Sequence, residues 1–406
     1  MAGLAASVRP LLIGGERSWT VTDTAGLPIV PAERYLAFLR SDDRSPNTVR
    51  SYARGLAEWW TVLEASGVAW DGLTRTVFGD FLAYLRTGDL PGVDRIGPVP
   101  QRLAPASVAN RAAAVLAFYT WAAAALNITQ PRQMLYQRST RRHHSYLPML
   151  TGVVPATDRP APVFRLRVPN KSRTPLLTPG QVRTILDGCA ILDPAGDGWR
   201  PNLAGLRDRF LFALLAESGM RLGEALSLRH CDIHIGAGGT PWVEVVPRQD
   251  HPHGVRNKSS RGRDIYIGAD LEGLYSAYVW ELIDAGIDVQ VADVANHFVF
   301  VNVGGQPLFA PMRAKSVYAR VRALTRDHRA ALPPDWTPHW LRHTHATALL
   351  LAGRPVHVVM RRLGHLDVQT TLSTYGWVTE DAEMRALANW KSYVAGWKGI
   401  HDDQPA

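Results

Sequence analysis

Only two cysteines, Cys189 and Cys231, occur in the 406-residue sequence. Too few and too far apart for a disulfide framework or a zinc knuckle, they are expected to be buried thiols in a reducing compartment, and neither is a nucleophile candidate. Long apolar runs are also missing. The longest, residues 112–126, has 15 residues and includes Tyr119 and Thr120, short of the roughly 20 that a membrane helix needs, so it is expected to be a core helix. At the N-terminus Arg9 precedes no more than a Leu11–Ile13 patch with no cleavage site. That argues against a secretory signal and makes the cytoplasm the expected location. A P-loop pattern is absent, as is any carboxylate cluster that would bind paired Mg²⁺, so the residues give no sign of a bound nucleotide or metal and no cofactor is expected.

Positive charge is abundant and unevenly placed. Lys and Arg total 45 against 36 Asp and Glu, a net charge of +9. Between Pro131 and Pro175 nine basic residues face one acid, so that segment alone supplies a surplus of 9 − 1 = 8. A basic stripe on an otherwise balanced chain is the footprint of a nucleic-acid binder. The length allows two or three domains, and 46% hydrophobic with 20% charged residues marks a folded protein.

Residues 1–27 lack periodicity and are expected to form a poorly ordered arm. Helical spacing begins at Pro31–Arg40. Ser45-Pro46 forms a cap with proline in the first turn, ahead of Val49, Tyr52, Leu56, Trp59, Trp60 and Leu63, and Gly67 stops the run. Residues 74–86 repeat the pattern, and 105–126 supply a fourth helix. The breaker-rich loop 87–103 joins the last two. The basic segment 131–175, with its His143-His144 pair, is expected to link two domains and to lie near phosphates. Beyond it, helices are expected from Thr178-Pro179, over 203–217 and from Arg221. Strands are expected at 242–246, 264–267 and 298–301, the first two flanking a turn with Arg256, Lys258, Arg261 and Arg263.

The chemistry concentrates in Thr337–Trp377. His339 and Arg342 stand three residues apart just past Pro338, which favours a helix start and puts both on one face. His365 follows a glycine that can end the next helix, and Tyr375 comes ten residues later. Two histidines, an arginine and a tyrosine with no adjacent acid suit an anionic substrate and a phenol nucleophile, and a phosphodiester fits best. Arg221 opens a helix after Gly219, where it either pairs with Glu224 or clamps an anion. Lys258 is either a solvated turn residue or a proton donor reaching a cleft. His343 is expected to be a hydrogen-bonded structural residue and Trp377 a packing residue.

Taken together, Arg221, Lys258, His339-x-x-Arg342, Gly364-His365 and Tyr375 resemble, in order and spacing, the tyrosine recombinase (phage integrase) family. The resemblance runs from about Pro31 to Lys391. Trp340 stands where the family has leucine, and Gln369–Tyr375 is most similar to transposon-borne members. The resemblance implies a mainly α fold with a small antiparallel β-sheet: a helical, SAM-like core-binding domain over 28–130, then an α+β catalytic domain over 176–395 and a short tail over 396–406. It implies that Tyr375 attacks a phosphate of double-stranded DNA to give a 3′-phosphotyrosyl link. Arg221 and Arg342 would hold the non-bridging oxygens and Lys258 would protonate the leaving oxygen. His339 would assist proton transfer at Tyr375, and His365 would hydrogen-bond the phosphate. A homotetramer, with accessory recombinase or directionality proteins, would be the working assembly, in the cytoplasm on the nucleoid. A type IB topoisomerase, or a non-catalytic DNA-binding scaffold, are the alternative readings.

Overall fold

The computed structural model describes residues 6–92, 103–137, 161–164, 166, 174–189, 191–192, 199–200, 202–236, 238–255, 262–365, 375 and 378. It divides into two compact units, Met1–Asn170 and Lys171–Ala406. Each has its own hydrophobic core. Among the described residues no helix is long and apolar enough to cross a membrane.

The first unit opens with a hairpin, β1 (Ser7–Ile13) and β2 (Glu16–Thr22), paired antiparallel from Ser7–Thr22 to Ile13–Glu16. This corrects the expectation of a poorly ordered arm. Ser18, Trp19, Thr20, Val21 and Thr22 are all buried, so the strand carries no polar–apolar alternation for sequence reading to detect. Four main helices follow: α1 (Val30–Ser41), α2 (Pro46–Ser66), α3 (Arg75–Thr87) and α4 (Pro105–Ala125). Local chemistry sets their ends. Ser45 accepts the Thr48 amide and Pro46 fills the first turn of α2, while Thr74 accepts the Val77 amide at the start of α3.

Helices α2 and α4 cross where Gly55 lies, and a Cβ there would come within 2.9 Å of the Ala114 Cβ and 3.0 Å of the Arg111 carbonyl. Only glycine permits that approach. Around the crossing, Trp59 is buried among Phe78, Phe81 and Tyr119. Its indole N–H donates to Tyr119 Oη at 3.0 Å, and that hydroxyl donates to the Trp70 carbonyl at 2.7 Å. The chain continues through α5 (Gln130–Leu135) into a two-residue pairing of β3 (Tyr136–Gln137) with β4 (Ala161–Pro162). Phe164 and Leu166 pack on this same core. Of the expected linker, residues 131–137, 161–164 and 166 thus belong to the first unit and 174–175 to the second, while His143 and His144 lie outside the described residues.

In the second unit, α6 (Pro179–Asp187) starts at a reciprocal Thr178–Gln181 capping box. A pairing of β5 (Ile191–Leu192) with β6 (Trp199–Arg200) leads to α7 (Leu203–Ser218), whose cap is the Asn202 side chain accepting from the Gly205 amide at 2.7 Å. Helix α7 buries Leu206, Phe210, Leu211, Phe212, Leu214 and Leu215, apolar on nearly every side, and is the axis of this unit. Then come α8 (Leu222–Leu226) and a three-stranded antiparallel sheet of order β7 (Ile233–His234), β8 (Trp242–Val245), β9 (Arg263–Tyr266). Helices α9 (Ala269–Asp284), α10 (Ile287–Gln290), α11 (Ala314–Asp327), α12 (Pro338–Leu351) and α13 (Val356–Leu363) complete it.

Two expectations change here. Residues 298–301 are buried throughout but make only isolated bridges, Arg229 to Phe298 and Val301 to Pro311. Side chains take carbonyls that a ladder would have used: Tyr278 donates to Val299 and Arg207 to Val301. Cys189 is buried as expected, whereas Cys231 is exposed in a 3-10 turn with its thiol facing Asn296. Trp59→Ala is expected to cost the protein about 3–5 kcal/mol, because it both empties the packed centre and removes the donor to Tyr119. Urea unfolding of the full chain checks this; a loss below about 1 kcal/mol would mean that the crossing does not depend on Trp59.

Candidate active site

The last carbonyls of a helix have no partners within it, and at the end of α7 three of the nearby oxygens are taken by cations or imidazole from α12 and α13. Arg342 Nη1 donates to the Gly219 carbonyl at 2.7 Å, and Arg362 Nη2 to Glu217 at 3.1 Å. His345 Nδ1 lies 3.0 Å from the Ala216 carbonyl. That oxygen can only accept, so His345 carries its proton on Nδ1 and its Nε2 accepts from Arg362 Nε at 3.0 Å. Burial, then Arg362, push the His345 pKa down to about 4, so this ring is neutral at pH 7. Gly219 turns the chain at φ 67°, and a Cβ there would meet the His345 ring at 2.6 Å. The helix ends in glycine because nothing larger fits under that histidine.

Arg342 is 2% exposed. Its Nη2 donates to the Leu363 carbonyl at 2.7 Å and to His365 Nε2 at 2.9 Å. A guanidinium only donates, so His365 Nε2 is an acceptor and the ring's proton sits on Nδ1. Of its five N–H donors, three are used among the described residues. Burial, then Arg221, push the Arg342 pKa down to about 9, still high enough to keep the charge at pH 7. Burial, then the cations Arg342, Arg221 and Arg263, push the His365 pKa down to about 4.

One carboxylate organises the cluster. Glu224, 2% exposed, accepts the Arg221 amide and Arg221 Nη1 at 2.9 Å each. It also accepts Arg263 Nη2 at 2.7 Å, while Arg263 Nε donates to the Arg362 carbonyl at 2.8 Å. Burial by itself would raise the Glu224 pKa, but the hydrogen bonds and charges of Arg263 and Arg221 prevail and hold it below the ordinary 4.5. Gly364 closes α13 at φ 68° directly over Arg263, where a Cβ would meet the guanidinium at 2.7 Å. Arg221, Arg263 and Arg342 thus share a single buried acid and leave the pocket with a positive surplus. Such a pocket favours an anion.

Tyr375 completes the site. It is 2% exposed and packs with Ala346, Val359, Leu363 and Val378. Its hydroxyl lies 2.9 Å from His343 Nδ1. His339 is exposed at the first turn of α12, and its ring stands edge-on to His343 with centroids 4.3 Å apart. Arg221, Arg342, His365 and Tyr375 are therefore brought together, with His339 one turn from His343. Lys258, Arg256 and Arg261 lie outside the described residues, as do residues 366–374 and Trp377. Five side chains carry more of the site than sequence reading gave them. Glu224 reads there as a surface pair partner, Arg263 as a hairpin cation and His343 as structural, while Arg362 and His345 carry no motif signal at all. Their partners are main-chain oxygens, which a sequence does not advertise.

The fold is similar to that of known proteins. The XerH site-specific recombinase in its post-cleavage complex aligns with the chain at a TM-score of 0.55 and 17% identity, covering 88% of this chain and 84% of that one. The pre-cleavage complex aligns at 0.50 and 16% identity, covering 82% and 78%. Fold and site define an enzyme that cleaves and rejoins DNA through a tyrosine. Residues 176–381, just over half of the chain, match the phage integrase family, and residues 32–125 match its N-terminal SAM-like domain, so the protein belongs to that family. Similar curated proteins include transposase A from transposon Tn554 of Staphylococcus aureus, 26% identical over 351 residues that cover 86% of this chain and 87% of the relative. Another is the tyrosine recombinase XerC of Rhodospirillum centenum, 27% identical over 337 residues, 79% and 81% of the two chains. The expected fold class, mainly helical with small antiparallel sheets in a SAM-like and a catalytic domain, is the one observed.

Glu224→Gln is expected to destabilise the protein by about 3 kcal/mol at pH 7, since it strands the buried Arg263 guanidinium and the half-buried Arg221. The Glu224 pKa is depressed in the fold, so its stabilisation is complete above the unfolded value of 4.5 and fades as pH falls through the lower folded value. In urea unfolding, the gap between wild type and variant should be full at pH 7 and shrink below pH 4.5. A gap that stays constant down to pH 3 would rule out charge pairing as its origin.

Proposed function

We propose that the protein is a site-specific recombinase of integrase or transposase type, which breaks one DNA strand at a time by attack of Tyr375 on a phosphodiester. The Tyr375 oxygen bonds to phosphorus on the 3′ side and the 5′ oxygen leaves, so the energy of the broken bond is kept in the phosphotyrosyl link and no ATP is spent. The observation that carries this reading is the buried guanidinium cluster beside a sequestered tyrosine. Arg342, pinned by two carbonyls, presents its remaining donors to the non-bridging oxygens, and Arg221 adds a second fork. Neither has to reorganise as negative charge builds on the pentacoordinate phosphorus. His365, already hydrogen-bonded to Arg342, adds its own contact to the phosphate, and His339 stands exposed at the first turn of α12. Lys258 protonates the leaving 5′ oxygen.

The relatives are named as a transposase and as a tyrosine recombinase, and the solved XerH complexes hold a difH substrate. By extension, double-stranded DNA is the substrate here, a homotetramer with accessory recombinase or directionality proteins is the working assembly, and the nucleoid in the cytoplasm is the place of action. A nicked duplex bearing the ends of the gene's own element tests the chemistry. Wild type should form a covalent protein–DNA band in EDTA, Tyr375→Phe none, and Arg342→Ala a band slowed by about 10²- to 10³-fold. A band that survives Tyr375→Phe, or one that needs a divalent metal, would sink the proposed mechanism. Relaxation of any supercoiled plasmid without those ends would point to a topoisomerase instead.

A further inference from the structure

For Tyr375 to act as nucleophile its proton must go somewhere. Burial, opposed by Arg342 and Arg221, pushes its pKa up to about 12. At pH 7 roughly one molecule in 10⁵ would hold the phenolate, so attack depends on an acceptor placed at the oxygen. The resemblance to the family gives proton transfer at the tyrosine to His339. The geometry points elsewhere.

His343 Nδ1 sits 2.9 Å from the Tyr375 oxygen, with the two rings 5.7 Å apart and inclined at 65°. A neutral phenol in an apolar cluster of Ala346, Val359, Leu363 and Val378 donates its hydrogen to the nearest acceptor. That assigns the ring proton of His343 to Nε2 and leaves Nδ1 as the acceptor. His343 follows Arg342 directly on α12, so acceptor and anion clamp ride on one rigid element. The charged and titratable groups that face the pair are Arg342 and His339 on α12 and Arg221 ahead of α8.

We propose that His343 is a catalytic residue of this enzyme, the base that receives the Tyr375 proton during strand cleavage and returns it during religation. The role rests on the recombinase reading above. As the Tyr375 oxygen bonds to phosphorus, the phenolic proton passes to His343 Nδ1 and makes an imidazolium, while the P–O5′ bond breaks and the leaving oxygen takes a proton from Lys258. In the reverse step a 5′-hydroxyl attacks phosphorus and gives its proton to Lys258, and the imidazolium reprotonates the departing phenolate. No atom or electron is left over. The resulting cation lies next to a phosphate that has gained negative charge in the transition state, which favours transfer at the moment it is needed.

His343→Gln keeps a side chain that can hydrogen-bond the phenol but cannot accept a proton. On the nicked duplex, at saturating protein, it should form the covalent adduct about 10²- to 10⁴-fold more slowly, with a rate that climbs with pH where the wild-type rate is flat. Replacing Tyr375 by 3,5-difluorotyrosine, a more acidic phenol, should restore much of the loss in His343→Gln and little in wild type. A variant as fast as wild type, or faster because the contact is a latch, overturns the proposal, and so does a slow variant that the acidic phenol cannot rescue. If wild type itself makes no adduct, the recombinase reading fails. His343 is then judged without DNA, by nitrogen NMR of the labelled full chain. A proton on Nε2, with resonances that move in Tyr375→Phe, supports the assignment, and a proton on Nδ1 overturns it.

Discussion

The catalytic unit depends on how the end of α7 is satisfied. A buried helix terminus leaves carbonyls that must find donors, and here α12 and α13 supply them through Arg342, His345 and Arg362. These bonds also put positive side chains at the negative end of the helix dipole. The same contacts hold three helices together and fix the Arg342 guanidinium, so the packing of this unit and the geometry of its pocket draw on one set of interactions. Gly219 and Gly364 belong to the same arrangement, because each yields the space that a ring or a guanidinium occupies.

Charge in this pocket is deliberately out of balance. Glu224 neutralises part of the Arg221 and Arg263 pair, while Arg342 has carbonyl dipoles and a neutral His365 around it. Burying a guanidinium with dipoles alone is costly, and the cost falls when an anion arrives. The pocket is therefore one that an anion would stabilise. The low pKa of His365 reports the same imbalance, since three cations oppose its protonation until negative charge enters.

Much of this was legible in the sequence, and the reasons differ by element. The helices α2 and α3 announce themselves because their caps and apolar spacing are local signals. His339, Arg342, His365 and Tyr375 stand out because their order is a family signature, and the structure brings Arg342, His365 and Tyr375 to one place beside Arg221. The hairpin β1–β2 did not show, since its second strand is buried on both faces and reads as featureless. The role of Arg362 and His345 did not show because they bind main-chain oxygens contributed by residues more than a hundred positions away. His343 was expected to be hydrogen-bonded within the domain, and only the third dimension shows that its partner is Tyr375.

Arg342 is held by the carbonyls of Gly219 and Leu363, main-chain atoms placed by the two turns that end α7 and α13. The anchor is thus written in the path of the backbone and not in the identity of neighbouring side chains. Substitutions around the pocket can accumulate without moving the clamp, provided the two turns that present those oxygens are kept. A lineage of such proteins can then drift far in sequence, and acquire new target sites, while its chemistry stays where it was.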